Sequence, residues 1–147
     1  MKELIKLLKK NHKTVSTMES CTGGALASCF TDIAGVLEFG AVVYASKFKI
    51  KMGVDPKVID KYSVYSMETA QEMSLAIAKF SKSNYGVGIT GHIDNFDDLV
   101  YISIYDSDLD KYDNFIYKTC SKRRRENKHK IIDEVVKHLR EIIMEED

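Results

Sequence analysis

Glu19-Ser20-Cys21-Thr22-Gly23-Gly24 places a hydroxyl, a thiol and two adjacent glycines within six residues. Thr14 to Thr17, just before it, is rich in β-branched side chains, which favour extended backbone. Ala25, Leu26, Ala27 and Ser28, just after it, favour a helix. The stretch therefore reads as a strand turning into a helix. At such a turn the first N–H groups of the helix lack partners, and with the helix dipole they stabilise an anion. That anion is either a bound phosphate or a developing oxyanion. Gly23 and Gly24 carry no Cβ, so ligand and backbone can approach closely. The geometry suits a nucleophile or a ligand cradle and does not choose between them.

Working outward, Leu4, Ile5, Leu7 and Leu8 fall on one face of a short amphipathic helix. A strand is expected from about Lys13 to Met18, and the helix after the glycines runs to about Thr31, with Gly35 as a stop. Gly40 to Ser46 reads as a second strand. Asp55-Pro56 is a helix-start signal, with Asp as cap and Pro in the first helical position. Ser66 opens a long central helix with Met73, Ala76, Ile77 and Phe80 as its buried stripe. Tyr85 to Thr90 is a strand ending at Gly91. Leu99 to Tyr105 and Asn114 to Thr119 form a hairpin, and a helix from Arg125 to Met144 closes the chain.

Alternating helices and strands, then a hairpin, predict an α/β fold. It is a three-layer α/β/α sandwich around a mixed, mostly parallel sheet, in a single domain over residues 1–147. Ligands in such folds sit at the carboxyl ends of strands, which points to the Ser20 turn and to Thr90-Gly91.

Bulk composition excludes several functions. Lys plus Arg and Asp plus Glu are 22 each, so no overall field favours nucleic acid or a membrane surface. The basic run Lys122 to Lys130 reads as a solvated helix start with one residue turned toward a ligand. Three cysteines, odd in number and widely spaced, suit free thiols in a reducing cytoplasm. No signal peptide and no apolar run of membrane length are visible. His12, His92, His129 and His138 have no metal-ligand spacing, so neither a metal nor a cofactor is expected. Asp94, Asp97 and Asp98 read as a solvated turn.

A serine becomes a useful nucleophile when a base takes its proton, and a desolvated lysine can be that base. The second strand ends in Tyr44-Ala45-Ser46 with Lys49 just beyond, so suitable groups are available. Spacing does not say that they reach Ser20. Cys21 is a second candidate nucleophile, although no histidine is placed to pair with it.

Five segments in order resemble the CinA C-terminal domain family, the nicotinamide-nucleotide amidohydrolases. Glu19 to Gly24 resembles its ESCTGG signature, and Thr31-Asp32-Ile33-Ala34-Gly35 its TDIAG segment. Gly40 to Tyr44 with Lys49 resembles G-x-V-x-Y-S-N-x-x-K, Val64 to Ala70 resembles V-S-x-E-T-A, and Ile89-Thr90-Gly91 resembles V-T/S-G. The resemblance implies metal-free hydrolysis of the carboxamide of nicotinamide mononucleotide to nicotinate mononucleotide and ammonia. It also implies Ser20 as nucleophile, Lys49 as base or proton shuttle, and Tyr44 as an orienting group. Cys21, Thr22, Gly23, Gly24, Thr90, Gly91 and Arg124 would contact a small-molecule pyridine nucleotide. A homodimer or higher homo-oligomer is expected, as is a domain without the amino-terminal partner that many relatives carry.

Three departures accompany the match. His92 to Asp98 stands where the family has a glycine-rich loop, Ala45-Ser46 replaces Ser-Asn, and the stretch from Gly35 to Gly40 lacks the usual paired serine. The acidic loop would repel phosphate. The expectation is therefore an amidohydrolase with an altered nucleotide site, or alternatively an impaired homologue that serves as a nucleotide-binding or protein-interaction module.

Overall fold

A computed structural model describes residues 1–146 of the chain, and Asp147 lies outside the described residues. Strand β1 (Val15–Glu19), which runs into the Ser20 turn, is buried along its whole length. Its neighbours explain why. The sheet has five strands in the order β2-β1-β3-β4-β5, comprising β2 (Leu37–Val42), β3 (Tyr85–Gly91), β4 (Leu99–Asp106) and β5 (Lys111–Lys118). β1 pairs in parallel with both β2 and β3, whereas β4 runs against β3 and β5. The sheet is mixed, with β4 the single reversed strand.

Helices cover both faces. Helices α1 (Lys2–Lys10), α2 (Ala25–Phe30) and α6 (Arg124–Glu146) pack over Val15, Tyr85, Val87 and Ile89. Helix α5 (Met67–Ser81) covers the opposite face, where Met18 meets Met73 and Ile77. Successive residues of a strand point to opposite faces, so Gly86 and Gly88 turn toward α5. A Cβ at Gly86 would collide with the Ser74 carbonyl, and one at Gly88 with the Ala70 carbonyl. The two glycines thus let α5 lie directly on β3.

Local capping fixed the helix starts as expected. The Asp55 carboxylate accepts the Lys57 N–H at 2.9 Å at the head of α4 (Pro56–Tyr62). The Ser66 hydroxyl accepts the Thr69 N–H at 3.1 Å at the head of α5. Elsewhere the boundaries move. β2 starts at Leu37 and ends at Val42, so Tyr44 lies beyond the strand, and Ser46–Lys51 is a helix, α3, instead of strand end and loop. α2 stops at Phe30, with Gly35 in the turn that follows. Phe80 is exposed instead of buried, because it overhangs the edge strand β2, where its ring meets Phe39 at 5.1 Å. The hairpin turn narrows to residues 107–110. Among the described residues no helix is long and apolar enough to cross a membrane.

Candidate active site

The end of β1 sets the site. Glu19 is fully buried, and its carboxylate accepts the N–H of Leu26 at 2.9 Å, the N–H of Ala27 at 3.0 Å and the Thr22 hydroxyl at 2.7 Å. The orphan donors at the start of α2 are therefore satisfied from within. This corrects the expectation that the helix start itself holds a phosphate or an oxyanion. Between β1 and α2 the chain makes a tight turn in which Gly23 and Gly24 take left-handed φ values of 62° and 96°. Ser20 is fixed at the turn's head, donating its N–H to the Ile89 carbonyl at 3.1 Å and accepting from Gly23 at 3.0 Å. The Cys21 N–H has no oxygen acceptor among the described residues.

Lys49 comes to Ser20 from α3. Its Nζ donates to the Ser20 hydroxyl at 3.1 Å, to the Val43 carbonyl at 2.7 Å and to the Tyr44 carbonyl at 3.4 Å. The residue is 1% exposed. Among the described residues no carboxylate forms an ion pair with it. Burial disfavours the ammonium form and lowers the Lys49 pKa below its ordinary 10.5. Burial acts oppositely on the neighbouring Cys21 thiol, which is pushed up to about 12. The thiol is thus a poor nucleophile near neutral pH, while the lysine is disposed to give up its proton.

The open side of this pair is a cleft of about 180 Å³ lined by Ser20, Cys21, Tyr44, Tyr65, Gly91, His92, Ile93, Asp94 and Arg124. Arg124, at the head of α6, ion-pairs with Asp94 and donates to the Tyr44 hydroxyl at 3.3 Å. The Tyr44 hydroxyl is thus turned to Arg124, while its backbone carbonyl receives Lys49. The Tyr65 and His92 rings lie 3.9 Å apart on the cleft wall. Five of the sequence-expected residues lie outside this lining, and Lys49, buried against Ser20, is one of them. Thr22 spends its hydroxyl on Glu19, Thr90 donates to the Val64 carbonyl at 3.0 Å, and Gly24 packs on Val42. Gly23 instead faces Lys128, which lines an adjoining hollow of about 480 Å³ with Arg124, Arg125 and His129.

The loop after β3 is the solvated turn that its acidity suggests, with Asp94 to Asp97 exposed, and it is also anchored from within. Ile93 is fully buried, and its carbonyl accepts from the Asn127 side chain at 3.0 Å. The Asp98 carboxylate accepts the N–H groups of Asp94 and Asn95, both at 2.9 Å. Glu19, Tyr65, His92, Asp94 and Asn127 were not singled out as site residues from the sequence. The chemistry of Glu19 is visible only once the strand and helix are folded. The hint for Asn127 is a polar side chain on the apolar stripe that continues through Ile131 and Val135.

The fold and the site define an α/β domain with a buried serine–lysine pair at a strand end. Residues 1–143 match the family model of the CinA C-terminal domain, and the chain belongs to that family. It is 40% identical over 92 residues to a CinA-like protein of Kosmotoga olearia and 38% identical over 91 residues to a CinA-like protein of Flavobacterium psychrophilum. These matches cover 60% and 59% of this chain and 22% of each relative, so the matched stretch spans about a fifth of those proteins' length. Two crystal structures share the fold. One is a CinA superfamily protein from Klebsiella pneumoniae, with TM-score 0.87, 18% identity, and coverage of 97% of this chain and 94% of that one. The other is the competence/damage inducible protein CihA from Agrobacterium tumefaciens, with TM-score 0.82, 24% identity, and coverage of 99% and 93%.

Proposed function

We propose that this protein hydrolyses the carboxamide of a pyridine nucleotide such as nicotinamide mononucleotide, with Ser20 as nucleophile and Lys49 as its base. The observation that carries this reading is the buried Lys49 ammonium nitrogen, 3.1 Å from the Ser20 hydroxyl and without an ion-pairing carboxylate. In its neutral form Lys49 takes the Ser20 proton as the oxygen attacks the amide carbon. The Cys21 N–H is available to the oxyanion that develops there. Lys49 then returns the proton to the departing nitrogen, ammonia leaves, and an ester on Ser20 remains. Water attacks the ester, Lys49 receives its proton and passes it back to the serine oxygen, and the acid is released.

The test is ammonia release from nicotinamide mononucleotide without added metal, wild type against Ser20→Ala. Release that disappears in the variant supports both the reaction and the nucleophile. A second reading, a family member that binds and does not turn over, is favoured by the Asp94 carboxylate seated on Arg124. A folded wild type that binds the mononucleotide and releases no ammonia would select it.

A further inference from the structure

Asp94 is the carboxylate and Arg124 the guanidinium of the Ser20 cleft lining, and they are paired with each other. Arg124 spends its remaining reach on the Tyr44 hydroxyl, so the guanidinium ties the loop after β3 to the segment after β2 across the cleft mouth. An anionic substrate group in this cleft finds the guanidinium already paired with a carboxylate. Lys49 offers no replacement, since its Nζ is turned to Ser20 and to two backbone carbonyls. The rest of the wall includes Tyr44 and the mutually packed rings of Tyr65 and His92, none of which carries a fixed positive charge for an anion.

We propose that Asp94 is a specificity-determining residue. It holds Arg124 as an internal counter-ion, so that the cleft takes a cationic pyridinium nucleoside amide in preference to the phosphate ester of the same compound. The substrate class rests on the amide-hydrolase reading, whereas the charge selection rests on Asp94 and Arg124 alone. The loop backbone is held independently of the Asp94 side chain, by the Asp98 carboxylate on the N–H groups of Asp94 and Asn95 and by Asn127 on the Ile93 carbonyl. Removing the Asp94 charge therefore tests electrostatics and leaves the loop anchored. The ion pair is half-exposed, so its influence is modest and screened by salt.

The experiment is calorimetric titration of nicotinamide riboside, nicotinamide mononucleotide and inorganic phosphate into wild type, Asp94→Asn, Asp94→Glu and Asp94→Asn/Arg124→Met, at low and at high salt. We expect Asp94→Asn to shift the ratio of mononucleotide to riboside affinity by about fivefold or more toward the mononucleotide at low salt. Asp94→Glu should keep the wild-type ratio, the Arg124→Met addition should erase the gain, and high salt should shrink it. Adding Lys128→Met to Asp94→Asn separates the pull of the adjoining basic hollow, and the gain should survive it. If neither the mononucleotide nor phosphate binds Asp94→Asn more tightly than wild type, the assignment is overturned. It is also overturned if both nucleotide ligands change by the same factor, or if Lys128→Met removes the gain. Ammonia release, measured separately on the same preparations, decides the hydrolase reading. Its absence would overturn that reading while the affinity ratio still judges Asp94.

Discussion

The Glu19 carboxylate holds the N–H of Leu26 at 2.9 Å, so the residue that ends β1 caps the helix that follows it. Ser20 sits between that cap and the glycine turn, and its position is inherited from both. Glu19→Ala would leave two helix N–H groups and the Thr22 hydroxyl without their acceptor. We expect a loss of about 3 kcal/mol, read as a lower urea midpoint at pH 7. Glu19→Gln, with one accepting oxygen, should fall between the alanine variant and wild type.

Lys49 should govern both rate and stability against pH. If it acts as base, kcat/KM rises with pH through a pKa below 10.5, because burial lowers it. Lys49→Met should reduce kcat by about 10²-fold or more and flatten that rise. The stability sign follows from the same shift. Below the folded-state pKa, both states are protonated and the wild type carries the full cost of a buried ammonium. Between that pKa and 10.5 the unfolded chain holds the extra proton, so wild-type stability rises with pH. Urea denaturation of wild type and Lys49→Met across this window should therefore show the wild type gaining on the variant. Parallel curves would count against a desolvated lysine.

The thiols divide by environment. Cys120 is exposed, whereas Cys21 is buried and its thiol is pushed up to about 12. Burial also raises Cys29, less strongly placed. A disulfide-exchange dye at pH 8 should label Cys120 promptly and Cys21 only on unfolding, when all three thiols react. Prompt labelling of Cys21 would reopen the thiol as a nucleophile.

What was legible in the sequence is what short-range chemistry dictates. Asp55-Pro56 and Ser66 cap helices with their own side chains, so those starts can be read from a few residues. Ser20 and Lys49 were legible as partners through resemblance, because a sequence separation of 29 positions says nothing about their distance in space. Helix α3 was not legible, since Ser46–Lys51 has no side-chain cap and its pattern is broken by lysines, one of which points inward. The anchoring of the acidic loop was hidden for a similar reason. Asp98 and Asn127 act on backbone groups that only the fold brings to them.

Gly88 tests the closeness of α5 to the sheet. A methyl group there would meet the Ala70 carbonyl and the Met73 side chain, neither of which can retreat without moving the helix. We expect Gly88→Ala to cost about 3 kcal/mol, measured by thermal or urea unfolding. An unchanged midpoint would mean that α5 shifts freely on β3.

Asn127 tests whether the loop after β3 is held from α6. Its side-chain amide donates to the Ile93 carbonyl at 3.0 Å and the Ser121 carbonyl at 2.8 Å, and the residue is fully buried. Asn127→Asp keeps the shape and removes the donors, leaving two carbonyls facing a carboxyl group. We expect a loss of about 2 kcal/mol, with faster hydrogen exchange of the Ile93 to Asn95 amides than of amides in β1. Because the same loop presents His92 and Asp94 to the cleft, KM should rise more than kcat falls. A variant that loses stability uniformly, with loop exchange no faster than the rest, would show Asn127 to be a core residue without a hold on the site.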